Sequence, residues 1–87
     1  MSFYVYGIKS SRTGRVYVGQ GKDDRQRLRQ HNAGHVSSTK TDRPWTLVAE
    51  QTVETRAQAR WIEYQLKKSK GKRERWLRCY AIALETA

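Results

Sequence analysis

The start of the chain leaves little choice of structure. Phe3-Tyr4-Val5-Tyr6-Gly7-Ile8-Lys9 is aromatic and β-branched, the composition of a strand. Ser10-Ser11-Arg12-Thr13-Gly14 has turn chemistry, and Arg15 to Gly19 reads as a second strand returning beside the first. A β-hairpin at the outset obliges the rest of the chain to cover it. Side chains alternate along a strand, so Tyr4 and Tyr6 share a face.

The remaining sequence supplies that cover. Asp23 with Gln26 three residues later is a capping-box pattern, and Asp24 adds negative charge to the first turn. A short helix is predicted from there to about Ala33, with Gly34 as its stop. Residues 34–43 read as a polar loop closed by Pro44, and Trp45 to Val53 as a third strand. Thr55 with Gln58 repeats the capping pattern, and Ala57, Ala59, Ile62 and Leu66 recur at helical spacing toward Lys68. Lys70 to Leu84 is predicted as a third helix beside the second. The order β-β-α-β-α-α implies an α/β fold, a small sandwich whose three-stranded, mainly antiparallel sheet is flanked by helices.

Eighty-seven residues make one domain, residues 1–87, with a thin core. Phe3, Val5, Ile8, Val16, Val18, Leu28, Trp45, Leu47, Val48, Val53, Ile62 and Leu66 are expected to supply most of it. A single cysteine, Cys79, excludes an internal disulfide, and no Cys/His cluster has zinc spacing, so a reducing cytoplasm is the expected setting. No apolar run reaches signal-peptide or transmembrane length, and no membrane association is expected.

Charge narrows the function. Eighteen Lys and Arg against eight Asp and Glu give a net +10, a field that attracts polyanions, of which nucleic acid is the usual one. The alternative is a lysine-rich surface with no such partner. A lipid surface fits poorly, because the basic helices lack a broad apolar face. The cations expected along a DNA backbone are Lys22, Arg25, Lys40 and Arg43, together with Lys67, Lys70, Lys72 and Arg73 of the basic tail.

Several polar residues stand where a core would not place them. Tyr17 sits mid-strand and faces the same question as Tyr6, whether the ring packs or reacts. Arg27 and His31 are one helical turn apart, with Leu28 turning their face toward the sheet. An arginine fork and a histidine near tyrosines make a phosphate site, and a solvated basic helix face is the alternative, since Arg25 and Arg29 are also present. Glu63 lies four residues after Ala59 and three before Leu66, at the border of the apolar stripe. A carboxylate there needs a partner, either a basic side chain or a cation such as Mg²⁺.

In this order and spacing the residues resemble the GIY-YIG nucleases over roughly residues 3–77. Tyr4-Val5-Tyr6 stands at the first motif and Tyr17-Val18-Gly19 at the second. Arg27-Leu28-Arg29-Gln30-His31-Asn32 is similar to the helix that follows, Arg43-Pro44-Trp45-Thr46-Leu47-Val48 to the opening of the third strand, and Glu63 to the metal-binding glutamate. The likeness is to compact stand-alone bacterial members, and beyond them to the N-terminal nuclease domain of the excinuclease C subunit, which makes DNA repair one setting among several. The resemblance implies a β-β-α-β-α fold and Mg²⁺- or Mn²⁺-dependent DNA hydrolysis. The small surface available for reading bases adds the expectation of little sequence specificity, with structure- or single-strand-selective cutting favoured over a long recognition site. The resemblance also implies roles: Tyr6 and Tyr17 beside the attacking water, Arg27 on the scissile phosphate, Glu63 on the metal, and His31 orienting a tyrosine or moving a proton. Two positions depart from the pattern. Tyr4 replaces a glycine of the first motif, and Gln20 stands where excinuclease-type members carry a lysine, with Lys22 as the nearest substitute.

A tyrosine with the usual pKa near 10 is a poor base, so cationic charge from Arg27, Lys22 or the metal is expected to favour its phenolate. The competing function is a basic nucleic-acid-binding module that does not cut. Such a module has no need of the tyrosine pair, Arg27 and Glu63 together. No protein partner is evident, and a monomer is expected.

Overall fold

A computed structural model describes residues 2–82. The hairpin forms from β1 (Phe3–Ser10) and β2 (Val16–Gly21), and β3 (Trp45–Val53) pairs with the other edge of β1. The sheet order is β2-β1-β3 and both pairings are antiparallel, so the first strand is the central one. Helix α1 (Asp24–Asn32) follows the hairpin; α2 (Arg56–Lys68) and α3 (Lys70–Cys79) follow β3.

Register sorts the side chains onto two faces. Tyr6 stands between Gly19 and Glu50, and Ile8 between Tyr17 and Leu47. Tyr6, Ile8, Trp45 and Leu47 pack with Leu28 of α1 on one face. Val5, Val18 and Ala49 point the other way and pack with Ala59, Leu66 and Trp76 of the two later helices. The alternation read from the hairpin therefore divides the small core in two, and every tyrosine of the site falls on the α1 side.

The capping patterns do what their chemistry predicts. The Asp23 side chain accepts from Gln26 N at 3.0 Å. Both halves of the box form at α2, where Thr55 Oγ1 accepts from Gln58 N and Gln58 Oε1 accepts from Thr55 N, each at 3.1 Å. Ser69 ends α2 and caps α3 with its hydroxyl, so the basic tail turns a corner there.

Two expectations need correction. The third helix stops at Cys79, well short of Leu84, which lies outside the described residues. Beyond it the backbone turns onto β3: Tyr80 O accepts from Glu50 N at 3.1 Å, and Ile82 N donates to Val48 O at 2.9 Å. The outer edge of β3 presents unpaired backbone groups, and satisfying them outweighs another helical turn. The loop over residues 34–43 is also less loop-like than its polarity implied. It contains a 3₁₀ turn at Lys40–Asp42 and holds Thr39 with no exposed surface. Asn32 secures the loop's far end by hydrogen bonds to both Trp45 N and Trp45 O, at 2.6 and 3.0 Å.

Trp76 belongs to the core although its helix is mostly basic. Its indole donates to Gln51 Oε1 at 2.8 Å and lies over Gly7, where a Cβ would come within 3.1 Å of the ring. The glycine in the central strand thus makes room for α3. Trp76→Ala should cost about 3–5 kcal/mol of stability. Urea denaturation followed by far-ultraviolet circular dichroism measures it, and a loss under about 1 kcal/mol would mean that α3 is not anchored by this ring.

Candidate active site

A chain of buried hydrogen bonds joins the hairpin, α1 and the following loop. The Tyr6 hydroxyl lies 3.0 Å from His31 Nε2, and His31 Nδ1 lies 2.8 Å from Thr39 Oγ1. Tyr6, His31 and Thr39 each have 0% exposure. The hydroxyl of Thr39 donates to Val36 O at 3.2 Å, and Trp45 Nε1 donates to Thr39 O at 2.9 Å. With the Thr39 proton on Val36 O, Thr39 Oγ1 accepts from His31 Nδ1–H, the tautomer in which the Nε2 lone pair takes the phenolic proton of Tyr6.

The sheet makes the room for this. Gly19 faces Tyr6 across the hairpin, and a Cβ there would collide with the Tyr6 hydroxyl and ring. Tyr17 sits two residues before it, with its ring centroid 5.0 Å from that of His31 and at 60° to it. Arg27 passes its stem over Gly21 and sets its guanidinium beside the Tyr6 hydroxyl. One terminal nitrogen of Arg27 donates to Gln30 Oε1 at 2.8 Å, while its Nε is buried with no partner among the described residues. Glu63 lies close enough for its charge to act on Tyr6. It pairs with Lys67 at 3.3 Å, and the Lys67 ammonium sits 5.0 Å from the Tyr17 ring centroid. Helix α2 therefore reaches the α1 face around the β2 edge. Tyr6, Tyr17, Arg27, His31 and Glu63 are brought to one place.

Burial decides the charge states. Burial first, and then the Arg27 charge, lowers His31 to about 4, so the imidazole is neutral. Burial also raises Tyr6 above its ordinary value, despite the hydrogen bond and charge of Arg27 acting in the opposite sense. Arg27 does favour the phenolate of Tyr6, as expected of a nearby cation, but burial outweighs it in the isolated chain. Desolvation of the ring prevails over one guanidinium. Lys22 does not help, since its ammonium is turned to the Phe3 ring, 5.9 Å from the centroid.

The cations assigned to DNA have varied surroundings. Lys22, Arg25, Lys40 and Arg43 are exposed, with Lys22 over the Phe3 ring and Arg43 Nε held by Lys40 O at 2.8 Å. In the tail, Lys70 lies 4.0 Å from Glu74 and Lys72 donates to Gln65 Oε1 at 2.8 Å. Arg73 is half-buried and donates to Leu66 O at 3.3 Å, which ties α3 to the end of α2. Lys67 is inside the site, not on the tail.

Residues 2–76 match the family model described as the GIY-YIG catalytic domain. The chain belongs to the GIY-YIG family. A GIY-YIG domain is a nuclease, a hydrolase in general terms, which agrees with a site built from tyrosines, an arginine and a carboxylate. The family members it resembles include UPF0213 proteins of Staphylococcus aureus strains Mu3 and Mu50, each 39% identical over 67 residues that cover 76% of this chain and 80% of theirs. The solution NMR structure of a UPF0213 protein from Bacillus halodurans is also similar, with a TM-score of 0.54 and 30% identity, covering 86% of this chain and 81% of that one. No helix among the described residues is long and apolar enough to cross a membrane.

Sequence reasoning missed Thr39 and the pair Asp24–Glu50. Asp24 is 4% exposed and one of its carboxylate oxygens lacks a donor. A hydrogen bond shared with Asp24, reinforced by burial, pushes Glu50 up to about 7. Only the strand register could have exposed this pair, by placing Glu50 beside Tyr6 on the α1 face.

His31 and Glu50 oppose one another in acid. Unfolded His31 takes a proton below about 6.5 while the folded residue resists it to about 4, so its contribution is full above pH 6.5 and lost as pH falls toward 4. That displacement is worth roughly 3 kcal/mol. Glu50 is raised, so its contribution is full below the unfolded value of 4.5 and lost as pH rises through 7. Urea titrations between pH 7.5 and 4.5 should therefore show a shallow slope for the natural chain. His31→Gln should gain stability on acidification, and Glu50→Gln should lose it. Parallel slopes for all three proteins would refute both assignments.

Proposed function

We propose that the chain is a divalent-metal-dependent endodeoxyribonuclease with little sequence specificity, in which His31 takes the proton that lets Tyr6 activate water. The carrying observation is the buried hydrogen-bond chain from Tyr6 through His31 to Thr39. Tyr6 is buried in the free chain, so substrate binding must admit a water to its oxygen; that water then transfers its proton there as the phenolic proton moves to His31 Nε2. The imidazolium so formed keeps its Nδ1–H bond to Thr39 Oγ1, a hydroxyl already oriented with its oxygen toward the ring. Burial and, after it, the Arg27 guanidinium oppose that charge and hold the resting pair neutral. A phosphodiester bound to Arg27 neutralises the Arg27 part of the opposition, so the base strengthens when substrate arrives. The guanidinium then serves the charge that develops on the phosphoryl oxygens. Tyr17, at the mouth beside Lys67, borders the same water.

The donor set suits a hard cation of low protein-ligand demand. Among the described residues no group of three or more His, Cys, Asp or Glu could hold a metal. Glu63, whose side chain is 23% exposed, would be the single protein ligand, with water and phosphate completing the shell, as Mg²⁺ or Mn²⁺ accepts. Lys67 holds that carboxylate in the meantime and would yield to the ion. Such an ion supplies Lewis acidity to the phosphate and a bound water to protonate the leaving oxygen. The net +10 charge favours DNA as the polyanion, and a domain of this size offers little surface for reading bases.

Glu63→Gln should abolish cleavage of labelled DNA in Mg²⁺ and keep folding and most DNA affinity; chelator should silence the natural chain equally. A glutamine variant that cuts at near the natural rate would remove Glu63 from the mechanism. Thr39→Val should lower kcat by at least about tenfold with KM little changed and alter the pH–rate profile, because the imidazole loses the acceptor of its Nδ1–H. Thr39→Ser should restore both. An unchanged pH profile in the valine variant would reduce Thr39 to packing.

A further inference from the structure

The outward face of α2 carries apolar surface that the fold does not use. Trp61 is 63% exposed and Tyr64 is 51% exposed, among the few large hydrophobic side chains so open to water. They stand three residues apart and stack, with centroids 6.1 Å apart and planes 24° from parallel. Ala57, one turn before Trp61, leaves an open groove lined by Arg56, Ala57, Arg60, Trp61 and Tyr64. At the other end the Lys68 ammonium sits 5.4 Å from the Tyr64 ring centroid and donates to its hydroxyl at 3.3 Å. Two flat rings, preset in a stack, are thus bracketed by three cations.

We propose that this face binds an unpaired DNA strand, with bases stacking on Trp61 and Tyr64 and phosphates meeting Arg56, Arg60 and Lys68. Every base has a π-face that continues such a stack without regard to sequence, and the gap over Ala57 admits one beside the indole. A duplex keeps those faces covered, so the rings select against it. Two copies of this chain are a poor fit, because the same three cations would meet themselves across the contact. The platform adjoins the candidate active site through the helix itself. Arg60 is one turn before Glu63 and Tyr64 follows it, so a strand held on the outer face leads over Arg60 toward the carboxylate. From Arg56 to Lys68 is about 18 Å of helix, room for a few nucleotides. The proposal rests on the nuclease reading only in taking DNA as the polyanion, and it adds the form of DNA that is held.

Binding in chelator separates the two. Fluorescence anisotropy with a labelled oligothymidine of about 12 nucleotides and with an abasic strand of equal length isolates the stacking contribution. Trp61→Ala/Tyr64→Ala should bind oligothymidine about tenfold or more weakly than the natural chain, with affinity for the abasic strand unchanged. Trp61→Phe/Tyr64→Phe should recover most of the loss. Circular dichroism confirms the folded state of each variant, as the exposure of both rings leads one to expect. Equal affinity of the natural and alanine chains for oligothymidine overturns the proposal, as does an equal loss on the abasic strand. A change confined to the sedimentation of the free protein overturns it too, since the face would then join copies. Cleavage of single-stranded, flapped and duplex DNA in Mg²⁺ is measured alongside. Its absence on all three substrates in the natural chain defeats the nuclease reading, while the platform stands or falls on the binding ratios.

Discussion

Thr39 has one proton, and its destination sets the chemistry of everything around it. With that proton on Val36 O, the hydroxyl oxygen faces His31 as an acceptor, and the ring presents its Nε2 lone pair to Tyr6. Three segments are held together by this sequence of donors: the central strand through Tyr6, the first helix through His31, and the loop through Thr39. None of the three groups has water within reach, so each bond must be made within the fold. The loop conformation, the seating of α1 and the placement of the phenol are one packing problem with one solution.

Legibility from sequence followed the range of the interaction. The two caps were readable because a hydroxyl or carboxylate and a backbone amide three residues on meet whatever the rest of the chain does. The hairpin was readable from alternation, and with it the shared face of Tyr4 and Tyr6. Family motifs brought Tyr6, Tyr17, Arg27, His31 and Glu63 forward, and the fold gathers them. Thr39 was not readable, since a threonine in a polar stretch looks like every other loop threonine until α1 is docked. The burial of Trp76 depended on the absence of a side chain at Gly7, nearly seventy positions away, and no local pattern contains that fact. The end of α3 was misread for a related reason. Its stop is dictated by the open edge of β3, not by a residue that breaks helices.

Charge in the site is a matter of restraint. A phenol and an imidazole are kept neutral by burial, and Arg27 stands over them with a buried nitrogen that no described residue occupies. Lys67 guards the carboxylate at 3.3 Å in the absence of anything better. The resting arrangement is therefore a set of compromises that an anion and a cation would together relieve. Opposed titrations of His31 and Glu50 keep the two flanks of Tyr6 from shifting stability strongly in one direction as acidity changes.

The short return of the backbone onto β3 bears on how copies of the domain behave toward one another. Val48 O and Glu50 N are both satisfied by residues that follow α3, and Ala81 bridges Ala49. A chain truncated after Cys79 keeps all three helices and every residue of the site, yet it bares that strip of backbone. Exposed strand edges recruit other strands. Three residues beyond the last helix thus act as a selvedge on the sheet, and a shortened domain would be prone to growing into larger assemblies strand by strand.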